Sequence, residues 1–154
     1  MRVIQHTAMF EAYSHLRHKY PKISLYQERR LIKQAQEGSK AKKAELVERH
    51  IHFVIFRINK IVYPTYRERF GKDILSEAIF ILYDKIETYD LKYKDKYGNP
   101  KPVRFSSYIW KRIDGFIIDY LMKELNKERQ ERSLDIGRPD CEIDVLIYAE
   151  PYKQ

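Results

Sequence analysis

The stretch "LVERHIHFVIFRINKIV", Leu46 to Val62, decides the fold. Leu46, Val47, His50, Ile51, Val54, Ile55, Ile58, Ile61 and Val62 recur at i, i+3 and i+4, the rhythm that gathers side chains on one face of an α-helix. The helix is long and half-buried, and Pro64 marks its end. Upstream, Ser24 and Gln27 form a capping-box pattern before a short helix through Leu31, Ile32 and Ala35, which Gly38 stops. Downstream, "TYRERFGKD" reads as a charged connector to Asp73, an N-cap for a third helix through Ile74, Ala78, Ile81, Leu82 and Ile86 to Thr88 or Tyr89. Residues 90 to 104, "DLKYKDKYGNPKPVR", carry Gly98, Pro100 and Pro102 with five basic and two acidic side chains, a basic loop. A fourth helix, capped by Ser106 or Ser107, presents Ile109, Ile113, Phe116, Ile117, Tyr120, Leu121 and Leu125 as its buried stripe. The expected fold class is therefore all-α: a helical extension over 1–23, a compact helical domain over 24–132, and an acidic, hydrophobic tail over 133–154.

With 154 residues, 44% of them apolar, the chain can bury one real core. Thirty Lys and Arg against 22 Asp and Glu leave a net charge of +8, the balance of a protein that meets a polyanion, nucleic acid first and an anionic membrane second. The longest uninterrupted apolar runs are only a few residues, as in "FVIF", far below the ~20 residues of a spanning helix. The N-terminus lacks the apolar core of a secretory signal, and the lone Cys141 permits no internal disulfide, so a reducing cytoplasm is expected. His15 and His18 stand at i, i+3 without a second pair to complete a metal set, and His50 and His52 point to opposite faces. No P-loop, glycine fingerprint or ordered nucleophile is present, so neither cofactor, metal nor catalysis is expected.

The chemistry concentrates at the start of the fourth helix. Phe105, Tyr108 and Trp110 stand there beside Arg104, Lys111 and Arg112, after the basic loop. Cations that neutralise phosphates beside rings on which bases stack make a single-strand platform, worth about 1–3 kcal/mol per stacked base. The same rings could instead pack beneath the loop, with the lysines as solvated surface.

The order of motifs resembles the bacterial sigma factors of the sigma-70 family. "LYQERRLIKQAQEGSKAKKAELVERHIHFVIFRINKIV" is similar to the family's regions 1.2 and 2.1, "DILSEAIFILYDKIETYD" to region 2.2, and "RFSSYIWKRIDGFIIDYL" to region 2.3 into 2.4, the last closest to flagellar and general-stress members. The tail's "RSLD" and "CEIDVLIYAEP" resemble the start of region 3.2. The resemblance implies a helical region 2 domain that binds core RNA polymerase, directs recognition of the minus-ten promoter element and helps to melt it. Asp73, Ile74, Ser76, Glu77, Phe80 and Tyr83 would meet the clamp helices of beta-prime. Arg104, Phe105, Ser106, Ser107, Tyr108, Trp110, Lys111 and Arg112 would receive the non-template strand.

The sequence departs from the family at several points. Lys111 and Arg112 replace the Trp pair of housekeeping members, and Asp114 stands where "RIRG" relatives carry an arginine that approaches DNA. The loop before Arg104 is longer than usual, and its Lys92, Lys94, Lys96 and Lys101 either touch the displaced strand or form a solvated insertion. No region 4 helix-turn-helix is recognisable, so a separate protein is expected to supply that function, as in split or phage late-type sigma factors. Ile143, Val145, Leu146, Ile147 and Tyr148 of the tail are candidates to dock it. The alternative reading is a helical DNA-binding regulator or polymerase-associated adaptor without sigma activity.

Overall fold

Two serines set the register of the N-terminal half. Ser24 accepts a hydrogen bond from the Gln27 N–H at 3.2 Å while Gln27 Oε1 accepts from the Ser24 N–H at 3.0 Å, a reciprocal cap that opens the helix Leu25–Gln36. Gly38, at φ +106°, then takes the left-handed turn that a side chain would resist, and Ser39 accepts from the Lys42 N–H to start Lys40–Ile61. The structure is a computed structural model that describes residues 11–136. Five helices are present among these: α1 Leu16–Lys19, α2 Leu25–Gln36, α3 Lys40–Ile61, α4 Pro64–Thr88 and α5 Phe105–Ile136. The described residues contain no strand, so the all-α class holds.

Helix α3 is the axis of the body and touches each of the other four. Its stripe is buried as its spacing predicts, from Leu46 and Val47 to Ile61 and the following Val62. Around it lie Leu31, Ile32 and Ala35 of α2, the row Phe70, Ile74, Ala78, Leu82 and Ile86 of α4, and Phe105, Ile109, Ile113, Ile117, Leu121 and Leu125 of α5. Both rows repeat every four residues, which keeps one face of each helix on α3. Phe116 and Tyr120, expected in the stripe of α5, pack at its margin and are only partly buried.

Three boundaries differ from expectation. The segment read as a connector is the first third of α4: Pro64 occupies its first turn, where a missing N–H costs nothing, and Tyr63 stays extended ahead of it. Asp73 is consequently a mid-helix residue and caps nothing. The rings of Tyr66 and Phe70 stack in parallel at 6.5 Å, and Phe70 meets Tyr120 of α5 edge-on at 6.2 Å, so the charged segment carries an apolar edge. Arg67 donates to the carbonyls of Asn59 and Val62, satisfying the end of α3. At the other boundary, α5 begins at Phe105, which places Ser106 and Ser107 inside its first turn and not at its cap. The same helix runs past Ser133 to Ile136, beyond the expected start of the tail. The tail residues Ile143, Val145, Leu146, Ile147 and Tyr148 lie outside the described residues.

Candidate nucleic-acid interface

The basic loop is held at both ends by polar groups from α2 and α4. Tyr89, nearly buried, donates its hydroxyl to the Val103 carbonyl at 2.6 Å and accepts from Arg29 Nη1 at 3.2 Å. Arg29 Nη2 donates to the Leu91 carbonyl at 2.5 Å, and the Gln36 amide donates to the carbonyls of Ile86 and Tyr89. Every one of these backbone oxygens lies at the end of α4 or at a foot of the loop, so the loop leaves the body from a fixed base.

The start of α5 is fixed by a buried carboxylate. Glu28 of α2 faces His50 Nε2 at 3.3 Å, the Phe105 N–H at 3.4 Å and Arg104 Nη1 at 3.6 Å. Burial alone would push this carboxyl up. The hydrogen bond and charge of His50, the Phe105 N–H and the Arg104 guanidinium outweigh it and hold Glu28 below the usual carboxylate range. His50 is itself anchored through Nδ1 to the Leu46 carbonyl at 2.8 Å. Arg104 also donates to the Ile23 carbonyl at 2.8 Å, so its charge is directed largely inward.

This arrangement divides the aromatic cluster. Phe105 is fully buried, edge-on to the His50 ring at 4.8 Å and 77°. It is a core side chain, and its assignment to a base-stacking surface is corrected accordingly. Tyr108 is half-buried, set edge-on against Tyr89 at 5.3 Å, with its hydroxyl 2.8 Å from Thr88 Oγ1 and the Lys85 ammonium 5.2 Å from its ring centroid. Trp110 is half-buried with Lys111 Nζ 5.6 Å from its ring, while Lys111 and Arg112 are exposed. Ser106 and Ser107 are half-buried beside them. The surface that remains comprises the accessible parts of Tyr108 and Trp110, with Lys85, Lys111 and Arg112 as cations. Lys92, Lys94, Lys96 and Lys101 are all exposed on the loop.

Asp114 does not face outward as the comparison with "RIRG" sequences led us to expect. It receives a two-pronged hydrogen bond from Arg57 of α3, Nε to Oδ1 at 2.8 Å and Nη2 to Oδ2 at 2.6 Å, with Arg57 only 2% exposed. The planar guanidinium fits a carboxylate in this way, and the pair locks α5 to α3. Arg57 follows the apolar run "FVIF", and its i+3 spacing from the buried Val54 was the sign that it points inward.

A second face, on α4, has the opposite character. Asp73, Ser76, Glu77 and Phe80 are exposed at i, i+3, i+4 and i+7, and Phe80 retains 70% of its surface. Tyr83 is half-buried at the end of this row. Ile74 is fully buried and belongs to the core, which removes it from the set of contact residues. Where α4 meets α5, burial raises the Tyr120 hydroxyl pKa, as do the carboxylates of Asp73, Glu124 and Glu77, a sign of local negative potential.

The sequence reading missed the exposed tyrosines of the loop, Tyr93 and Tyr97, although the interleaved "KYKDKY" carried the signal. It also passed over Glu28, whose role depends on partners far away in sequence. Among the described residues no group of three or more His, Cys, Asp or Glu converges as metal ligands do, and no helix is long and apolar enough to cross a membrane. Comparison with family models, curated proteins and solved structures returns no match.

Proposed function

We propose that this chain is a sigma factor of the sigma-70 type, which joins core RNA polymerase through α4 and holds the melted minus-ten strand at the start of α5. One observation carries this reading: two surfaces of opposite chemistry stand on one helical body. An acidic and apolar row, Asp73, Ser76, Glu77 and Phe80, lies on α4, and rings with cations, Tyr108, Trp110, Lys111 and Arg112, lie at the start of α5. An acidic row on a protein of net charge +8 suits a basic protein partner, while accessible rings among cations suit unpaired bases and their phosphates. The motif order of the sequence supports the same pairing of faces with partners.

Titration of labelled protein against bacterial core RNA polymerase tests the reading. The wild-type chain is expected to bind saturably, and Glu77→Lys to weaken binding roughly tenfold, because reversing a charge replaces attraction by repulsion at the contact. Equal affinity of the variant would remove the assigned face. Failure of the wild-type chain to bind would remove the sigma reading and leave a helical DNA-binding protein.

A further inference from the structure

The basic loop contains a folded hairpin. The Lys101 N–H donates to the Tyr93 carbonyl at 3.0 Å, the Asp95 N–H to the Asn99 carbonyl at 2.9 Å, and Lys94 bridges Pro100 in antiparallel register. Gly98, at φ +80°, turns the chain, and its N–H donates to the Asp95 carbonyl at 3.0 Å. The Asp95 carboxylate accepts from the N–H groups of Tyr97 at 2.9 Å and Asn99 at 3.0 Å. The sole carboxylate between Tyr93 and Lys101 is thus engaged in holding the turn, and Lys92, Lys94, Lys96 and Lys101 dominate the outward field. Two rings stand among them: Tyr93 is 50% and Tyr97 75% exposed, with Lys96 Nζ 4.9 Å from the Tyr97 centroid.

We propose that this hairpin is a second binding site, a finger for single-stranded nucleic acid. Tyr93 and Tyr97 stack on unpaired bases, and the four lysines neutralise the phosphates on either side. The chemistry selects the ligand. Exposed rings need flat apolar faces and lysines need anions, and a strand with unstacked bases offers both along one backbone. In a duplex the faces are already stacked, leaving phosphates for the lysines and nothing for the rings. The clamp of Arg29, Gln36 and Tyr89 fixes the feet of the loop and the hairpin's own bonds fix its turn, so the backbone that carries the rings need not be ordered on binding. The inference does not depend on a polymerase partner, and it assigns residues apart from Tyr108 and Trp110.

Fluorescence anisotropy of the full chain with a labelled oligothymidylate of about twelve nucleotides tests it, beside a duplex of the same length and anionic phosphatidylglycerol vesicles. Tyr93→Ala with Tyr97→Ala is expected to weaken single-strand binding at least tenfold and leave duplex binding within twofold. Tyr93→Phe with Tyr97→Phe keeps the ring faces and is expected to retain wild-type affinity. Replacing the four lysines by alanine should lower the slope of log affinity against log salt by up to about 3, the share of four phosphate contacts on a single strand. Unchanged single-strand affinity in the double alanine variant overturns the proposal, as does equal loss on the duplex or a preference of the hairpin for vesicles. Loss in a Tyr108→Ala, Trp110→Ala variant but not in the hairpin variant would reject the finger and leave the reading of the α5 start intact.

Discussion

Asp114 illustrates how a single side chain changes meaning once its partner is known. Its carboxylate meets a guanidinium that has left water almost entirely, so removing it strips a buried charge of the two hydrogen bonds that Asp114 accepts. Asp114→Ala is expected to cost about 3–5 kcal/mol in urea unfolding, whereas replacing both Arg57 and Asp114 by leucine should recover most of that loss. Asp114→Arg, which makes the stretch read "RIRG", should destabilise at least as much as Asp114→Ala. Glu28 supplies a test by pH. Its folded pKa lies below the unfolded value, so its stabilising contribution is complete above the unfolded value, about 4.3, and is lost as pH falls through the folded one. Glu28→Gln should therefore lower stability at neutral pH and flatten the loss of stability below about pH 4. Parallel wild-type and variant curves would deny Glu28 this role.

Among the elements, α2 and α3 were legible because local signals fixed both their ends: a reciprocal cap, a left-handed glycine, a second serine and a proline. Helix α4 was cut short because charged residues and Gly71 mask its first third. The unbroken row from Phe70 through Ile74, Ala78, Leu82 and Ile86 was present in the sequence, and reading period four before charge would have recovered it. Phe105 and Ile74 were misassigned for a related reason: a motif specifies residues in order, whereas burial depends on which face the neighbouring helices cover. The Glu28 cluster was out of reach, since it depends on contacts between distant segments, whereas the loop tyrosines were signalled locally by "KYKDKY". Gly115 offers a test within α5, as a Cβ built there meets nothing within 4 Å. Gly115→Ala should raise stability by about 0.5–1 kcal/mol, visible as a rise of a few degrees in Tm, by narrowing the unfolded ensemble. A lower Tm would mean that the backbone there is not ordinary helix.

In the whole molecule, the proposed partner face and the proposed strand face are separate in chemistry yet share a seam. The end of α4 reaches the start of α5 through Thr88 and Lys85 on Tyr108, and Tyr89 links both to the base of the hairpin. The long-range bonds impose an order on the assembly of this body. Glu28 is joined to the Phe105 N–H across 77 positions, and the Ile23 carbonyl to Arg104 across 81. A chain growing on the ribosome makes α2 and α3 first and leaves that carboxylate facing an open side until the first turn of α5 has been synthesised. The surface proposed for nucleic acid is therefore completed late in synthesis, and a nascent chain has no finished place for a strand until the first turns of α5 have been added.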